Sequence, residues 1–97
     1  MVYQVIWTAE AEDDVLNLAN YLRENWSENS VEKFIDNLNK KIEILSRMPS
    51  LARLTIANYY MFRLDRKNVL FFTIEKDRLI LLSIYPYKKD ISKSKYY

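Results

Sequence analysis

Residues 68–85 read NVLFFTIEKDRLILLSIY (Asn68–Tyr85). Aliphatic, β-branched and aromatic side chains fill two arms, and Lys76-Asp77 separates them. Two such arms joined by a polar pair are the pattern of a β-hairpin. Within the second arm, Leu79–Leu82 is apolar at every position. Both faces of that strand are therefore expected under cover, central in a sheet and beneath helices. A third strand-like run, Tyr59–Leu64, lies upstream across Asp65-Arg66-Lys67, a connection short enough for a second turn. The chain has no Gly, so Asn68 and Asp77 are the residues expected at positive φ.

Upstream of these strands the period changes. Val31, Phe34, Ile35, Leu38, Ile42 and Leu45 recur at helical spacing, with Lys40, Lys41 and Glu43 turned outward. Ser27 is suited to cap this helix at its start. Pro49 ends it after Met48, because proline lacks the amide and clashes with the preceding turn. An earlier stripe, Ala11, Val15, Leu18, Ala19, Leu22 and Trp26, marks another helix, capped by Thr8. Glu10, Glu12, Asp13 and Asp14 crowd its first turns, where negative charge offsets the helix dipole. The short join between the two helices implies an antiparallel hairpin. Val2–Trp7 reads as a first strand. Ser50–Asn58 shows no period and reads as a loop.

The resulting order is β-α-α-β-β-β. It predicts an α+β, two-layer domain with a helical hairpin packed on a mostly antiparallel four-stranded sheet. The opposite sheet face is expected to be at least partly open, with outward residues such as Arg63 able to meet a ligand. Residues 1–97 form one domain, in which Pro86–Tyr97 is a basic tail. Tyr96 and Tyr97 are the residues that would anchor this tail if it docks.

Composition excludes much chemistry. The chain has no Cys and no His, so thiolate and imidazole metal sites, a Cys nucleophile and a Ser-His-Asp triad are absent. Without Gly there is no P-loop or GxGxxG turn. No metal site and no small-molecule cofactor is expected. The lack of Cys, the absence of a secretory-type N-terminus and the shortness of apolar runs such as Leu79–Leu82 point to a cytoplasmic protein with no membrane partner. Charge is unevenly laid out: residues 1–49 carry five basic and nine acidic side chains, and residues 50–97 carry ten basic and four acidic. A basic half of this kind suits an anionic partner.

Several segments carry a family resemblance. Val5–Asp14 (VIWTAEAEDD), Phe34-Ile35 before Leu38 and Ile42-Glu43, and the Met48-Pro49 stop form its first half. Tyr60–Leu64 (YMFRL), Val69–Phe72 (VLFF), Arg78–Leu82 (RLILL) and Tyr85–Asp90 (YPYKKD) form its second. In this order they resemble the RelE/ParE family of bacterial toxins from type II toxin–antitoxin systems. Two departures stand out. Leu51-Ala52-Arg53 stands where the family often has Gly, and Lys88-Lys89 with Tyr85 and Tyr87 stand where it often carries Arg or His.

The resemblance implies growth arrest by one of two routes, and a cognate antitoxin partner with an often acidic wrapping segment. RelE-like members cut ribosome-bound mRNA; ParE-like members poison DNA gyrase and need no active site of their own. RNA cleavage would require a base, an acid and cations for the phosphorane. Arg63, Tyr85, Tyr87 and Lys88 are the candidates for that work. Arg53, Arg63, Lys88, Lys89 and Lys93 are the candidates for binding anions, Arg being suited by its planar fork. The gyrase branch is slightly favoured because both expected helices are long, about 18 to 20 residues against a usual mean of about 11 to 12. A non-toxic nucleic-acid-binding relative, with lysines on phosphates and tyrosines stacked on bases, is a third reading.

Overall fold

The computed structural model describes residues 2–97. Its elements are β1 (Gln4–Trp7), α1 (Ala9–Asn25), α2 (Glu28–Arg47), β2 (Arg53–Leu54), β3 (Tyr60–Arg63), β4 (Asn68–Glu75) and β5 (Arg78–Pro86). Single 3-10 turns at Pro49–Leu51 and Ile91–Lys93 complete the list. Two helices lie on one face of a sheet ordered β1-β5-β4-β3-β2. The architecture is the expected α+β two-layer arrangement, with five strands instead of four.

The added strand is β2, inside the stretch expected to be loop. Its partner residues are Arg53↔Met61 and Leu54↔Tyr60. The turn beyond it closes on Thr55: Thr55 N–H donates to the Tyr59 carbonyl (2.7 Å) and Asn58 N–H to the Thr55 carbonyl (3.0 Å). Asn58 sits at φ 66°, a conformation that Asn tolerates better than most non-Gly residues. Three loop residues with the last one left-handed form a standard hairpin connection. The absence of Gly hid it.

The other turns also differ from expectation in their positive-φ residues. In the β4–β5 hairpin it is Lys76 (φ 55°), not Asp77. Asn68 is an ordinary strand residue, because Asp65 Oδ1 accepts the N–H groups of both Lys67 (2.7 Å) and Asn68 (2.8 Å) and shapes the β3–β4 turn with its side chain.

Helix boundaries follow their caps. Thr8 Oγ1 accepts from Ala11 N–H (3.2 Å) and Ser27 Oγ from Ser30 N–H (3.1 Å). Phe34, Leu38, Ile42 and Leu45 of α2 meet Leu70, Phe72, Leu79 and Leu81 in the core. Each such buried side chain contributes about 1.5–3 kcal/mol. Trp26 departs from the expected stripe. It is 65% exposed at the hairpin tip, with Lys67 Nζ 5.3 Å from its ring centre.

β5 is interior as expected, antiparallel to β4 on one side and parallel to β1 on the other. Phe71 pairs with Ser83 and Phe72 with Leu81, so Leu82 is an extra, unpaired residue. This is a β-bulge. β1 pairs only as far as Leu81. Beyond that point α1 takes over the exposed edge. Thr8 N–H and Oγ1 both donate to the Leu81 carbonyl (3.2 and 2.7 Å), while Asp14 Oδ2 accepts from Ile84 N–H (2.9 Å) and Ser83 Oγ (3.1 Å). No helix among the described residues is long and apolar enough to cross a membrane.

Asp14 is therefore expected to be a stability residue. Asp14→Ala strips the acceptor from a buried amide and a buried hydroxyl and should cost about 1–3 kcal/mol in urea denaturation. Asp14→Asn, which keeps one acceptor oxygen, should recover much of the loss. A neutral Asp14→Ala would show that water serves the bulge equally well.

Candidate functional site

The strand register sorts the candidate residues by face. Tyr60, Phe62, Leu70, Phe72, Leu79 and Leu81 pack toward the helices. The pleat then turns Met61, Arg63, Val69 and Phe71 to the other side. The row Arg63↔Val69↔Tyr85 and the row Arg53↔Met61↔Phe71↔Ser83 both lie on this outer face. Arg53, Arg63 and Tyr85 thus share one surface.

That surface is not the open one expected from the sequence. Phe71 lies at its centre and is fully buried (0% exposed). The C-terminal segment covers it. The Tyr96 ring lies 6.0 Å from Phe71 and 5.0 Å, edge to face, from Tyr59; Tyr85 flanks Phe71 at 6.4 Å. Polar contacts tie the segment down at both sides. Tyr96 OH donates to Glu10 Oε1 (2.8 Å), Thr55 Oγ1 donates to the Tyr96 carbonyl (2.6 Å) and Ala57 N–H to the Tyr97 carbonyl (3.2 Å). Lys95 Nζ pairs with the same Glu10 at 3.0 Å. The tail is a strap across the sheet, anchored by Tyr96. Its partner Glu10 reads in the sequence only as a helix-dipole residue, since nothing local links positions 86 residues apart.

The cations stand around this closed centre. Arg63 is exposed, and its guanidinium lies 4.1 Å from the centre of the Tyr87 ring. Its Nε donates to the Asp65 carbonyl and its Nη2 to the Arg66 carbonyl, both at 3.0 Å. Two of its five N–H donors are thus spent on the β3–β4 turn. Arg53 is exposed and makes no ion pair among the described residues. Lys89 and Lys93 are exposed on the strap. Lys89 N–H closes the turn after β5 on the Pro86 carbonyl (3.2 Å).

Lys88 follows Tyr87 directly in the chain. It lines a groove of about 610 Å³ between the helices and the end of the sheet, together with Lys33 and Lys67. Leu18, Leu22 and Phe34 supply apolar surface there. Asp65 also lines it, with its carboxylate engaged by the turn amides. Of the four residues expected to cooperate in RNA cleavage, Arg63 lies against the Tyr87 ring, Tyr85 shares the outer face with Arg63, and Lys88 lines the helix-side groove. No cluster of three or more metal-ligating side chains occurs among the described residues.

Comparison with known proteins supplies the context for this geometry. The model of the family described as "ParE toxin of type II toxin-antitoxin system, parDE" matches residues 5–90. The chain is similar in fold to the structure of a chromosomal ParDE toxin–antitoxin system from P. aeruginosa, with TM-score 0.77 and 13% identity over 88% of this chain and 96% of that one. It is also similar to a YoeB/ParE toxin from Agrobacterium tumefaciens, with TM-score 0.62 and 14% identity over 87% and 98% of the two chains. A YoeB dimer from Staphylococcus aureus gives TM-score 0.61 and 16% identity over 86% and 94%. A search of curated proteins returns no match.

The strap has a pH signature. Burial first, and then the hydrogen bond and charge of Glu10, hold the Tyr96 phenol above its ordinary pKa. A raised phenol pKa in the folded state means that this contribution is complete below the unfolded value of about 10 and is lost as pH rises through the folded value. Tyr96→Phe removes the hydrogen bond to Glu10 and should destabilise by about 0.5–1.5 kcal/mol at neutral pH. The gap to the parent chain should close above about pH 10. Urea midpoints measured for both proteins across the alkaline range test this; a gap that persists unchanged there would remove the hydroxyl from the anchor.

Proposed function

The chain belongs to the ParE toxin family of type II toxin–antitoxin systems, and on that footing we propose that it arrests bacterial growth by poisoning DNA gyrase and does so through surface contact, without cutting RNA. The observation that carries this reading is that Arg63, the main phosphate-binding candidate, is already engaged by the β3–β4 turn and by Tyr87. Two N–H groups of Arg63 already donate to the carbonyls of Asp65 and Arg66. Lys88 lines the helix-side groove, and the centre of the sheet face is closed by the Tyr96 strap. Metal-free RNA cleavage needs its acid, base and cations to converge on one phosphate. The long hairpin, with helices of 17 and 20 residues, supports the same branch.

A cognate antitoxin is the proposed binding partner. The groove supports it: leucine and phenylalanine side chains offer burial, and Lys33, Lys67 and Lys88 complement an acidic segment. Opposed charge of this kind speeds and orients encounter. The proposed compartment is the cytoplasm, where the target lies.

Purified gyrase assayed for supercoiling with and without the protein tests the main reading, alongside a cell-free translation reaction. Supercoiling should fail with accumulation of cleaved DNA, translation should continue, and Arg63→Ala should leave both results unchanged. Translation arrest with cut mRNA, abolished by Arg63→Ala, would favour the RelE-like branch instead.

A further inference from the structure

The helix-side groove carries polar groups that an acidic segment would leave unused. Asn37 of α2 and Asn68 at the start of β4 both line it. Asn68 shares the helix-side face with Leu70, two residues on, and is only 7% exposed. The orientation of each amide is fixed by what its nitrogen donates to. Asn37 Nδ2 donates to the Leu64 carbonyl (2.8 Å), and Asn68 Nδ2 to Asp65 Oδ1 (3.2 Å) and Oδ2 (3.4 Å). The free end of each side chain is therefore Oδ1, an acceptor. Neither Oδ1 accepts a hydrogen bond among the described residues, yet no buried side-chain oxygen among them is left without a partner. Both oxygens thus keep an opening to solvent, and for Asn68 the groove is that opening.

Lys33, Lys67 and Lys88 stand around these acceptors. None of the three makes an ion pair among the described residues. Lys67 Nζ lies 5.3 Å from the centre of the Trp26 ring, a contact that does not neutralise its charge. Asp65 is the one carboxylate in the lining, and its Oδ1 already accepts from the backbone N–H groups of Lys67 and Asn68 and from Asn68 Nδ2. The rim is therefore cationic, and Leu22, Phe34 and Pro86 give the walls apolar surface. A volume of about 610 Å³ suits a small molecule, since such sites span ~300–1,000 Å³ and combine apolar walls with a few placed polar groups.

The occupant must supply an anionic group, an apolar body and an N–H donor together. An ionised Asp or Glu is acceptor-only and answers the lysines alone. An aliphatic chain answers only the walls. We infer that the groove binds a free purine nucleotide whose base carries an exocyclic amine, represented by an adenosine polyphosphate. The base lies against Leu22 and Phe34, its amine donates to the Asn37 and Asn68 oxygens, and the phosphates meet Lys33, Lys67 and Lys88 as point charges. The amides supply selectivity that the lysines lack, because a ligand without the amine leaves the acceptors unpaired. Binding is independent of the cellular target. Its consequence, that nucleotide and antitoxin exclude each other, rests on the antitoxin being the groove's other occupant.

Metal-free ATP, titrated into the full chain labelled for NMR, is the probe. Saturable shifts of the Asn37 and Asn68 side-chain amides and of Phe34 are expected. Affinity should fall as salt rises past ~0.15 M. Lys33→Gln combined with Lys88→Gln, at two exposed positions, should weaken binding about tenfold or more. Purine riboside triphosphate, which differs from ATP only in lacking the amine, should bind about tenfold more weakly to the unaltered chain. Inorganic triphosphate binding as tightly as ATP would reduce the site to a patch of charge and overturn the inference. Equal binding of the analogue without the amine, shifts confined to Arg53, Arg63 and Tyr85 on the outer face, or no saturable shift at millimolar ATP would each do the same. An oligoadenylate strand bound more tightly than ATP would overturn it in favour of a nucleic acid. None of these measurements involves gyrase or an antitoxin, so failure here leaves the proposed function standing.

Discussion

The fold depends on how one strand is satisfied along its whole length. β5 is inserted between β4 and β1, and its residues Leu79, Leu81, Ser83 and Ile84 are buried. A strand in that position must have every backbone donor and acceptor paired. β1 supplies pairing only to Leu81, and the bulge at Leu82 interrupts the ladder just there. The remaining length is completed by α1, through Thr8 at its cap and Asp14 two turns in. This fixes the direction in which α1 leaves the sheet. Because only Trp26 and Ser27 separate the helices, α2 must return antiparallel, bringing Phe34, Leu38, Ile42 and Leu45 over β4 and β5. Thr8 carries three contacts, to the carbonyls of Leu81 and Leu82 and to the amide of Ala11, and so joins sheet edge, bulge and helix start in one side chain.

The second face of the sheet follows a different logic. A two-layer domain leaves that face in water unless something covers it. With Phe71 at its centre, exposure would forfeit the burial of a large aromatic ring. The strap resolves this with Tyr96, a side chain whose ring can cover Phe71 while its hydroxyl reaches Glu10 at the start of α1. Glu10 then has two partners, Tyr96 and Lys95, and ties the end of the chain to its first helix. As a consequence, the positive charge of the second half is displaced from the middle of the sheet to its rim and to the turns.

Local chemistry made much of this legible. Thr8 and Ser27 act as caps where hydroxyl residues precede apolar stripes, and the arms of the 68–86 hairpin follow from side-chain type alone. Long-range pairings were another matter. That β1 joins β5 in parallel is a property of the sheet order, with no signature in either segment. The role of Asp14 was masked because an acidic residue early in a helix already has a sufficient local explanation. Trp26 matched the helical period but falls at the hairpin tip, where the core has ended. In the 53–61 hairpin, Asn58 replaced the Gly by which such turns are usually recognised, and two paired residues are too few to show alternation. The candidate site was partly readable: Arg53, Arg63 and Tyr85 do share a face. What closed that face lay at the far end of the chain.

The arrangement bears on what kind of function this molecule can support. An arginine acts on phosphate through free, coplanar N–H groups. In Arg63 two of these hold the β3–β4 turn, and Tyr87 lies against its plane. Presenting the whole fork to a ligand would require giving up two hydrogen bonds of the turn that positions the residue. Lys88, Lys89 and Lys93 make no ion pair among the described residues, but they are point charges that give attraction without orientation. Large exposed side chains, Tyr21 and Trp26 at the hairpin and Leu54 and Ile56 at the sheet edge, are instead the residue types that contribute through buried area. A chain with weakly oriented cations and well-separated apolar surfaces is better built to engage macromolecules over extended contacts than to hold one scissile bond. That physical bias, more than any single side chain, is what the proposed contact-based reading rests on.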